Sequence, residues 1–414
     1  MADKDALDVA RIQADFPILK RQVHGKRLVY LDSASSSQKP IQVLDAMDRV
    51  YRESYANVHR GVYTIAEETT AAYEQARGKV AKLLGAAGTT EIVFTKNITE
   101  AINLVAYTWA RANLREGDAI VVTEMEHHAN IVPWHILAAE RGIQLRWIPL
   151  ASDYWLDTSK LDELLDGAKL LAVTAASNVL GTINDVRALA DAAHAAGALV
   201  LVDAAQAVPH FPVDVQAWGA DFVGFTGHKM LGPSGIGGLW ARAELLEAMP
   251  PFLGGGEMIR EVTKEGFLPN ELPWKFEAGT MPIAEAIGLG AAVDYLTGLG
   301  LDAVRAHEKA LTSTALDRLT ERFGDRLRID GPRDVEVRGG TISMVLEGIH
   351  AHDVAQVVDE EGVCVRASHH CAKPLMRVLQ VPATVRASLY VYNDEDDVDV
   401  LVEALAKAEQ FFAR

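Results

Sequence analysis

Lys229 stands in the stretch Thr226-Gly227-His228-Lys229-Met230-Leu231-Gly232-Pro233, directly after the apolar run Ala220-Asp221-Phe222-Val223-Gly224-Phe225. The run reads as a short buried strand and Gly232-Pro233 as a turn, so one lysine sits at a strand end. A lysine kept from water loses basicity and becomes a nucleophile toward an aldehyde. A solvated loop lysine is the alternative. Two further apolar runs end in reactive residues. Ala198-Leu199-Val200-Leu201-Val202 precedes Asp203 and Gln206, and Lys169-Leu170-Leu171-Ala172-Val173-Thr174 precedes Ser177-Asn178. As neighbours in an open α/β sheet, these strands would crowd Asn178, Asp203, Gln206 and Lys229 along its carboxyl edge, where such sheets bind ligands. A carboxylate directly after an apolar strand needs a cationic partner, because burying it alone is very costly. A protonated pyridine nitrogen supplies that partner. Lysine for an aldehyde and aspartate for a ring nitrogen is the pair that pyridoxal-phosphate chemistry requires.

Asp203-Ala204-Ala205-Gln206 with Gly227-His228-Lys229 resembles the class V branch of fold-type-I pyridoxal-phosphate enzymes, and within it the Suf-type (group II) cysteine desulfurases. The likeness runs from Tyr30-Leu31-Asp32-Ser33-Ala34 to Arg386-Ala387-Ser388-Leu389-Tyr390. It implies an L-cysteine desulfurase that turns cysteine into alanine, leaves the sulfur as a persulfide on Cys371 and supplies iron–sulfur cluster assembly. In that reading Lys229 holds the cofactor and then moves the Cα proton, Asp203 faces the ring nitrogen, Gln206 the ring oxygen, and His127 stacks on the ring. Thr99, Thr226, His228 and the Thr280 of a second subunit hold the phosphate, which makes the expected protein a homodimer. Arg386, with Asn178 and Arg366, takes the substrate carboxylate. His59 and Arg60 belong to a segment that approaches the neighbouring subunit's site. Selenocysteine lyase on the same scaffold, or a cofactor-binding scaffold without catalysis, are the other functions considered.

The residues themselves allow more than one reading. Adjacent His127 and His128 at a strand end could bind metal, but no carboxylate–histidine pair has helical metal spacing. Asn97 with Glu100 suits a helix cap as well as a phosphate site at the helix start. The resembled family commonly has Gly-Thr-Thr-Glu where this chain has Asn97-Ile98-Thr99-Glu100, a histidine in place of Tyr63, and a glycine in place of Ser368. If the last position needs a positive φ, serine strains the loop. Cys371 lies in Arg366-Ala367-Ser368-His369-His370-Cys371-Ala372, where histidines and exposure favour a thiolate; Cys364 lies in an apolar run, where burial keeps a thiol inert. In Gly348-Ile349-His350-Ala351-His352-Asp353-Val354, His352 either starts a helix with Asp353 as cap or serves sulfur transfer to a small acceptor. The resemblance favours a zinc-containing SufU-type acceptor over a SufE type.

The elements that must position these residues follow from composition and pattern. The chain has 414 residues, 49% hydrophobic and 23% charged, which is enough for a large core in two domains. A formal charge of −17 argues against a nucleic-acid partner. No apolar run reaches the length of a membrane span, the polar start Met1-Ala2-Asp3-Lys4-Asp5 is unlike a targeting peptide, and two cysteines form no disulfide framework, so a cytoplasmic protein is expected. Gly254-Gly255-Gly256-Glu257 lacks the ending of a nucleotide-binding loop. Strands are expected at Leu28–Asp32, Glu91–Thr95, Ala119–Val122, Thr341–Leu346, Val363–Arg366 and Thr384–Val391, with helices up to Leu84, from Thr99, over Asp353–Asp359 and over Asp394–Phe412. Val304, Leu311, Ala315, Leu319 and Phe323 mark one helix face. The predicted fold is α/β: a large cofactor-binding domain over 25–290 with a mostly parallel sheet. A smaller α+β domain of 1–24 and 291–414 carries the cysteine loop.

Overall fold

The structure, a computed structural model, describes residues 7–413. Seven strands form the central sheet: β1 Ile92–Thr95, β2 Ala119–Thr123, β3 Gln144–Ile148, β4 Ala168–Thr174, β5 Leu199–Asp203, β6 Phe222–Thr226 and β7 Gly237–Ala241. Their spatial order is β1-β7-β6-β5-β4-β2-β3, and β7 alone runs antiparallel to its neighbours. Nearly every residue of β1, β2, β4, β5 and β6 is buried, as a parallel sheet covered on both faces demands. Alternation divides them between two cores. Val121, Leu171, Val200 and Val223 join one; Ile120, Leu170, Leu201 and Phe222 join the other. Parallel pairing puts the ends of β2, β4, β5 and β6 on one edge, and the two antiparallel steps through β7 bring the end of β1 to the same edge.

Two close approaches beside the site need the glycine that the sequence supplies. A Cβ on Gly224 would lie 2.8 Å from Ile98, and one on Gly237 would lie 2.9 Å from Asn97 Cα. Helix Ile98–Val105 therefore sits directly on β6 and β7. The glycines of β7 also hid that strand from a reading based on apolar runs, as weak amphipathicity hid β3.

The second sheet joins β8 Leu327–Asp330, β9 Thr341–Leu346, β10 Arg366–Ser368 and β11 Thr384–Ser388 in the antiparallel order β8-β9-β11-β10. Helices Leu301–Phe323, Ala351–Glu360 and Glu395–Phe412 cover it, and the Leu311, Ala315, Leu319 and Phe323 face is buried as expected. Four expected elements differ, the first being the Leu28–Asp32 strand, which is only Val29–Tyr30. The Val363–Arg366 strand is two pieces: Val363–Cys364 pairs in parallel with Val29–Tyr30, while Arg366 opens β10. The strand from Thr384 stops at Ser388, because Asn393 Oδ1 accepts the Tyr390 N–H and closes a turn. Helix Ala351–Glu360 starts two residues before Asp353, and His350 caps it through Nδ1.

The expected division at residue 290 falls inside helix Ile283–Leu299, whose Ala286, Leu289 and Val293 belong to the core of the central sheet. The change of core comes inside helix Leu301–Phe323, between Val304, which joins the large core, and Leu311, which joins the small one. At the amino end the assignment reverses. Ile12 and Phe16 pack into the large core, Phe16 against Tyr295 and Tyr392, whereas Val29 and Leu31 belong to the small one. Residues 1–6 of the polar start lie outside the described residues. Among the described residues no single helix is long and apolar enough to cross a membrane.

Candidate active site

A cavity of about 260 Å³ opens at the shared strand edge. It is lined by Thr99, His127, Asn178, Asp203, Gln206, Thr226, His228 and Lys229 from the large domain, and by Arg366, His370, Cys371 and Arg386 from the small one. Most of the expected site residues therefore meet in one place. His59, Arg60, Thr280 and His352 do not line it. His59 Nε2 pairs with Glu74 at 2.8 Å and its ring packs on Trp274, while Arg60 pairs with Glu257 at 3.3 Å. Thr280 and His352 are exposed, and the His352 ring stacks on His350 with centroids 5.2 Å apart.

Lys229 follows β6 on a short turn and is half-buried against the cavity; loss of water pushes its ammonium down to about 8. Asp203 closes β5. Burial raises its carboxyl above the usual range, and its Oδ1 accepts only the Ala205 N–H at 3.0 Å. His127 Nδ1 accepts the Ala129 N–H at 3.1 Å, so a neutral ring carries its proton on Nε2. Burial, with Lys229 nearby, lowers this imidazolium to about 3. Gln206 donates Nε2 to the Ala34 carbonyl at 2.8 Å, so one of its amide hydrogens is already committed.

Arg366 and Arg386 are cross-strand partners in β10 and β11, and both donate to the Ser35 hydroxyl at 2.7 Å. Arg386 also donates to Asp32 at 3.0 Å and to the Asn178 carbonyl at 2.9 Å. Two neighbouring guanidinium groups, with one carboxylate on Arg386 alone, leave a cationic wall suited to a carboxylate ligand. Asn178 lines the cavity, and one Nδ2 hydrogen is donated to the His370 carbonyl at 2.9 Å, so it also supports the cysteine loop. Ser368 is a β10 residue with an ordinary φ. The left-handed residues are His370 and Cys371, with φ of 49° and 54°, and the Ser368 hydroxyl accepts the His370 N–H at 2.8 Å. Serine at that position caps the loop rather than straining it. The thiols also differ: burial raises Cys364, which lies in its short strand off the cavity, and Cys371 opens into it.

Sequence reasoning missed Asp32 and Ser35, although the serine-rich turn after Leu28–Asp32 was visible. It also missed Glu126. That fully buried carboxylate accepts the Thr123 hydroxyl at 2.7 Å, the Thr174 N–H at 2.8 Å and the Asn130 amide at 2.8 Å. These bonds tie the ends of β2 and β4 beside His127. At the other wall Asn97 accepts the Glu100 N–H at 3.0 Å, as a cap should. Glu100 reaches back to the Lys96 N–H at 2.6 Å rather than to Asn97 itself. The first N–H groups of helix Ile98–Val105 are left at the cavity.

With this geometry in hand, the family profile of aminotransferase class-V matches the chain over residues 29–401. The chain belongs to that family. It is 53% identical to a probable cysteine desulfurase of Streptomyces coelicolor, over 98% of both chains. It is 48% identical to a cysteine desulfurase of Haloferax volcanii, again over 98% of both. Among solved structures, the cysteine desulfurase CsdA (S-sulfonic acid) of Escherichia coli matches with a TM-score of 0.91 at 40% identity, covering 98% of this chain and 99% of that one. The apo cysteine desulfurase of Thermococcus onnurineus matches with a TM-score of 0.91 at 38% identity, over 96% and 97% of the two chains. The fold is that of fold-type-I pyridoxal-phosphate enzymes.

The class-V cofactor is pyridoxal phosphate, and the pocket fits it. Four buried side-chain polar atoms among the described residues lack a partner, and two of them, Thr226 Oγ1 and Arg386 Nε, are in this cavity. Buried orphans are rare unless a ligand completes them. Thr226 with the start of helix Ile98–Val105 suits a phosphate. Asp203 suits a protonated ring nitrogen, His127 a ring face, and Lys229 an aldehyde.

Proposed function

We propose that the chain is an L-cysteine desulfurase, and the observation that carries the reading is the convergence of Lys229, Asp203 and Cys371 on one cavity. Bound pyridoxal phosphate supplies an aldehyde carbon and an electron-accepting ring, the chemistry that makes a Cα–H bond acidic. Arg386 Nε and the Arg366 guanidinium hold the substrate carboxylate, which fixes the Cα–H bond relative to the ring. Lys229 Nζ takes the Cα proton. Asp203 would hold the protonated ring nitrogen as a carboxylate, and His127, with its proton on Nε2, would support the ring.

Cys371 Sγ then bonds to the substrate sulfur. The Cβ–S electron pair stays on carbon, Cβ takes up a proton, Lys229 Nζ returns its proton to Cα to give alanine, and Cys371 is left oxidised as a persulfide. The loop is short and held at both ends, which favours an acceptor that comes to it. The acceptor we favour is a small zinc-containing protein of SufU type, with the exposed His352 serving the transfer. The assembly we favour is a homodimer in which exposed Thr280 reaches the partner's phosphate. Iron–sulfur cluster assembly is then the use of the sulfur.

The deciding experiment quantifies alanine and sulfide from cysteine, with Cys371→Ala beside it. Alanine with a trapped Cys371 persulfide is expected. Persulfide on Cys364, or no alanine, overturns the reading. Selenocysteine in the same assay separates a lyase preference, and unchanged stimulation of a His352→Ala variant by a zinc-type acceptor would remove His352 from the scheme.

A further inference from the structure

His128 is half-buried beside the cavity, and its neighbour His127 is the residue assigned to the ring face. Its backbone N–H donates to the carbonyl of Cys371 at 2.7 Å. Its ring Nε2 accepts the backbone N–H of Lys373 at 3.0 Å. One residue of the large domain thus holds the chain on both sides of Ala372, just where the loop turns into helix Lys373–Val378.

The loop needs such restraint. His370 and Cys371 are consecutive residues with φ of 49° and 54°, a conformation that residues with side chains keep only when their surroundings impose it. Several restraints are internal to the small domain: the His369 Nδ1 accepts the Cys371 N–H at 3.1 Å, and the His370 ring shares a hydrogen bond of 2.8 Å with Thr384 Oγ1. Two come from the large domain, Asn178 on the His370 carbonyl and His128 on Cys371 and Lys373.

We propose that His128 is a positioning residue for Cys371: it latches the left-handed loop to the turn that carries His127, and so sets the Sγ of Cys371 relative to the ring and the substrate sulfur. The proposal rests on the desulfurase reading for its consequence and on the hydrogen bonds for its geometry. The latch requires an unprotonated Nε2, so the ring proton is on Nδ1. The titratable groups around the ring are His369, 5.6 Å away between centroids, His127 at 6.3 Å, Lys373 and Cys371. Burial, then His369 and Lys373, holds the His128 imidazolium below the usual histidine range. The bond to Lys373 is therefore complete above about pH 6.5 and is lost as pH falls through the lowered value.

The test uses cofactor-loaded protein with His128→Leu, which removes the acceptor, and His128→Gln, which keeps a non-titrating one. Amide exchange of the 369–378 segment, the visible cofactor absorption, and kcat and KM for cysteine are measured on each. His128→Leu should exchange about tenfold faster in that segment and lose about tenfold in kcat, with KM and absorption near wild type. His128→Gln should recover most of both losses and show a weaker fall in kcat at acid pH than the wild type. Wild-type exchange and kcat in His128→Leu overturn the proposal, as does an equal loss in both variants. Should His128→Leu fail to fold, the acid-limb comparison between wild type and His128→Gln decides alone. A wild-type protein that makes no alanine defeats the functional reading, while the exchange data still judge the latch.

Discussion

At the level of single residues, the site is a set of groups whose ordinary behaviour is altered by lost water. Lys229 illustrates it: below about 8 its ammonium has no lone pair with which to take a proton. The desulfurase kcat should rise with pH up to about 8 and level above it, and a flat profile between about pH 6 and 9 would exclude Lys229 as the base. Lys229→Ala should lose the visible absorption of the cofactor-loaded protein and about a thousandfold or more in rate. Borohydride should then no longer fix the cofactor to the chain, and a reduced lysine adduct in the variant would move the role to another lysine. The cysteines make a matched pair for the same argument. Alkylation by iodoacetamide should follow Cys371, which opens into the cavity, and spare Cys364, whose thiol burial raises. Peptide mapping reads the outcome directly.

At the level of elements, the site depends on strand ends being held in register. Glu126 does this for β2 and β4, since its two oxygens take three donors from Thr123, Asn130 and Thr174. Burial pushes its carboxyl up to about 8, and the three aimed donors oppose that push. Glu126→Gln turns one acceptor oxygen into a donor that must face Asn130 or the Thr174 N–H. Above about pH 8, where Glu126 is ionised, the loss should be about 2–3 kcal/mol in urea unfolding, because a buried donor is then left without an acceptor, and it should shrink at lower pH, where the carboxyl itself carries a proton. An unchanged midpoint would mean that the network rearranges freely.

At the level of the whole molecule, the cavity exists only where two domains meet, so the seam governs function. Gly331 has φ of 106°, and a Cβ there would lie 2.0 Å from the Leu180 carbonyl of the large domain. Gly331→Ala should cost about 3 kcal/mol or more and lower Tm by several degrees, because neither backbone can yield without opening the seam. Calorimetry checks this, and a Tm equal to wild type would show that the seam is soft. The proposed dimer makes a separate prediction at this scale. Mixing inactive Lys229→Ala chains with inactive Thr280-defective chains should restore part of the activity through hybrid sites. A fully active monomer in sedimentation would end that idea.

How much of this was legible in the chain depends on the range of the interaction. Apolar runs ending in Thr174, Asp203 and Thr226 announced buried strands, because a strand covered on both faces has no polar side to show. The Asn97 cap was local and visible too. The bounds of Val363–Arg366 were not, since Cys364 pairs with Tyr30 and Arg366 with Arg386, and the partners of a strand are chosen by chain folding. The same holds for the domain boundary, where Ile12 and Phe16 went to the core that could close over them. By itself the sequence determined the residue types available for chemistry and the strand ends that carry them. Only the tertiary structure decided that Arg386 meets Asp32 and Ser35, that Asn178 supports a loop nearly two hundred residues away, and that His128 ties down Cys371. Such contacts form when packing brings remote backbone groups out of water together, and no local pattern encodes that meeting.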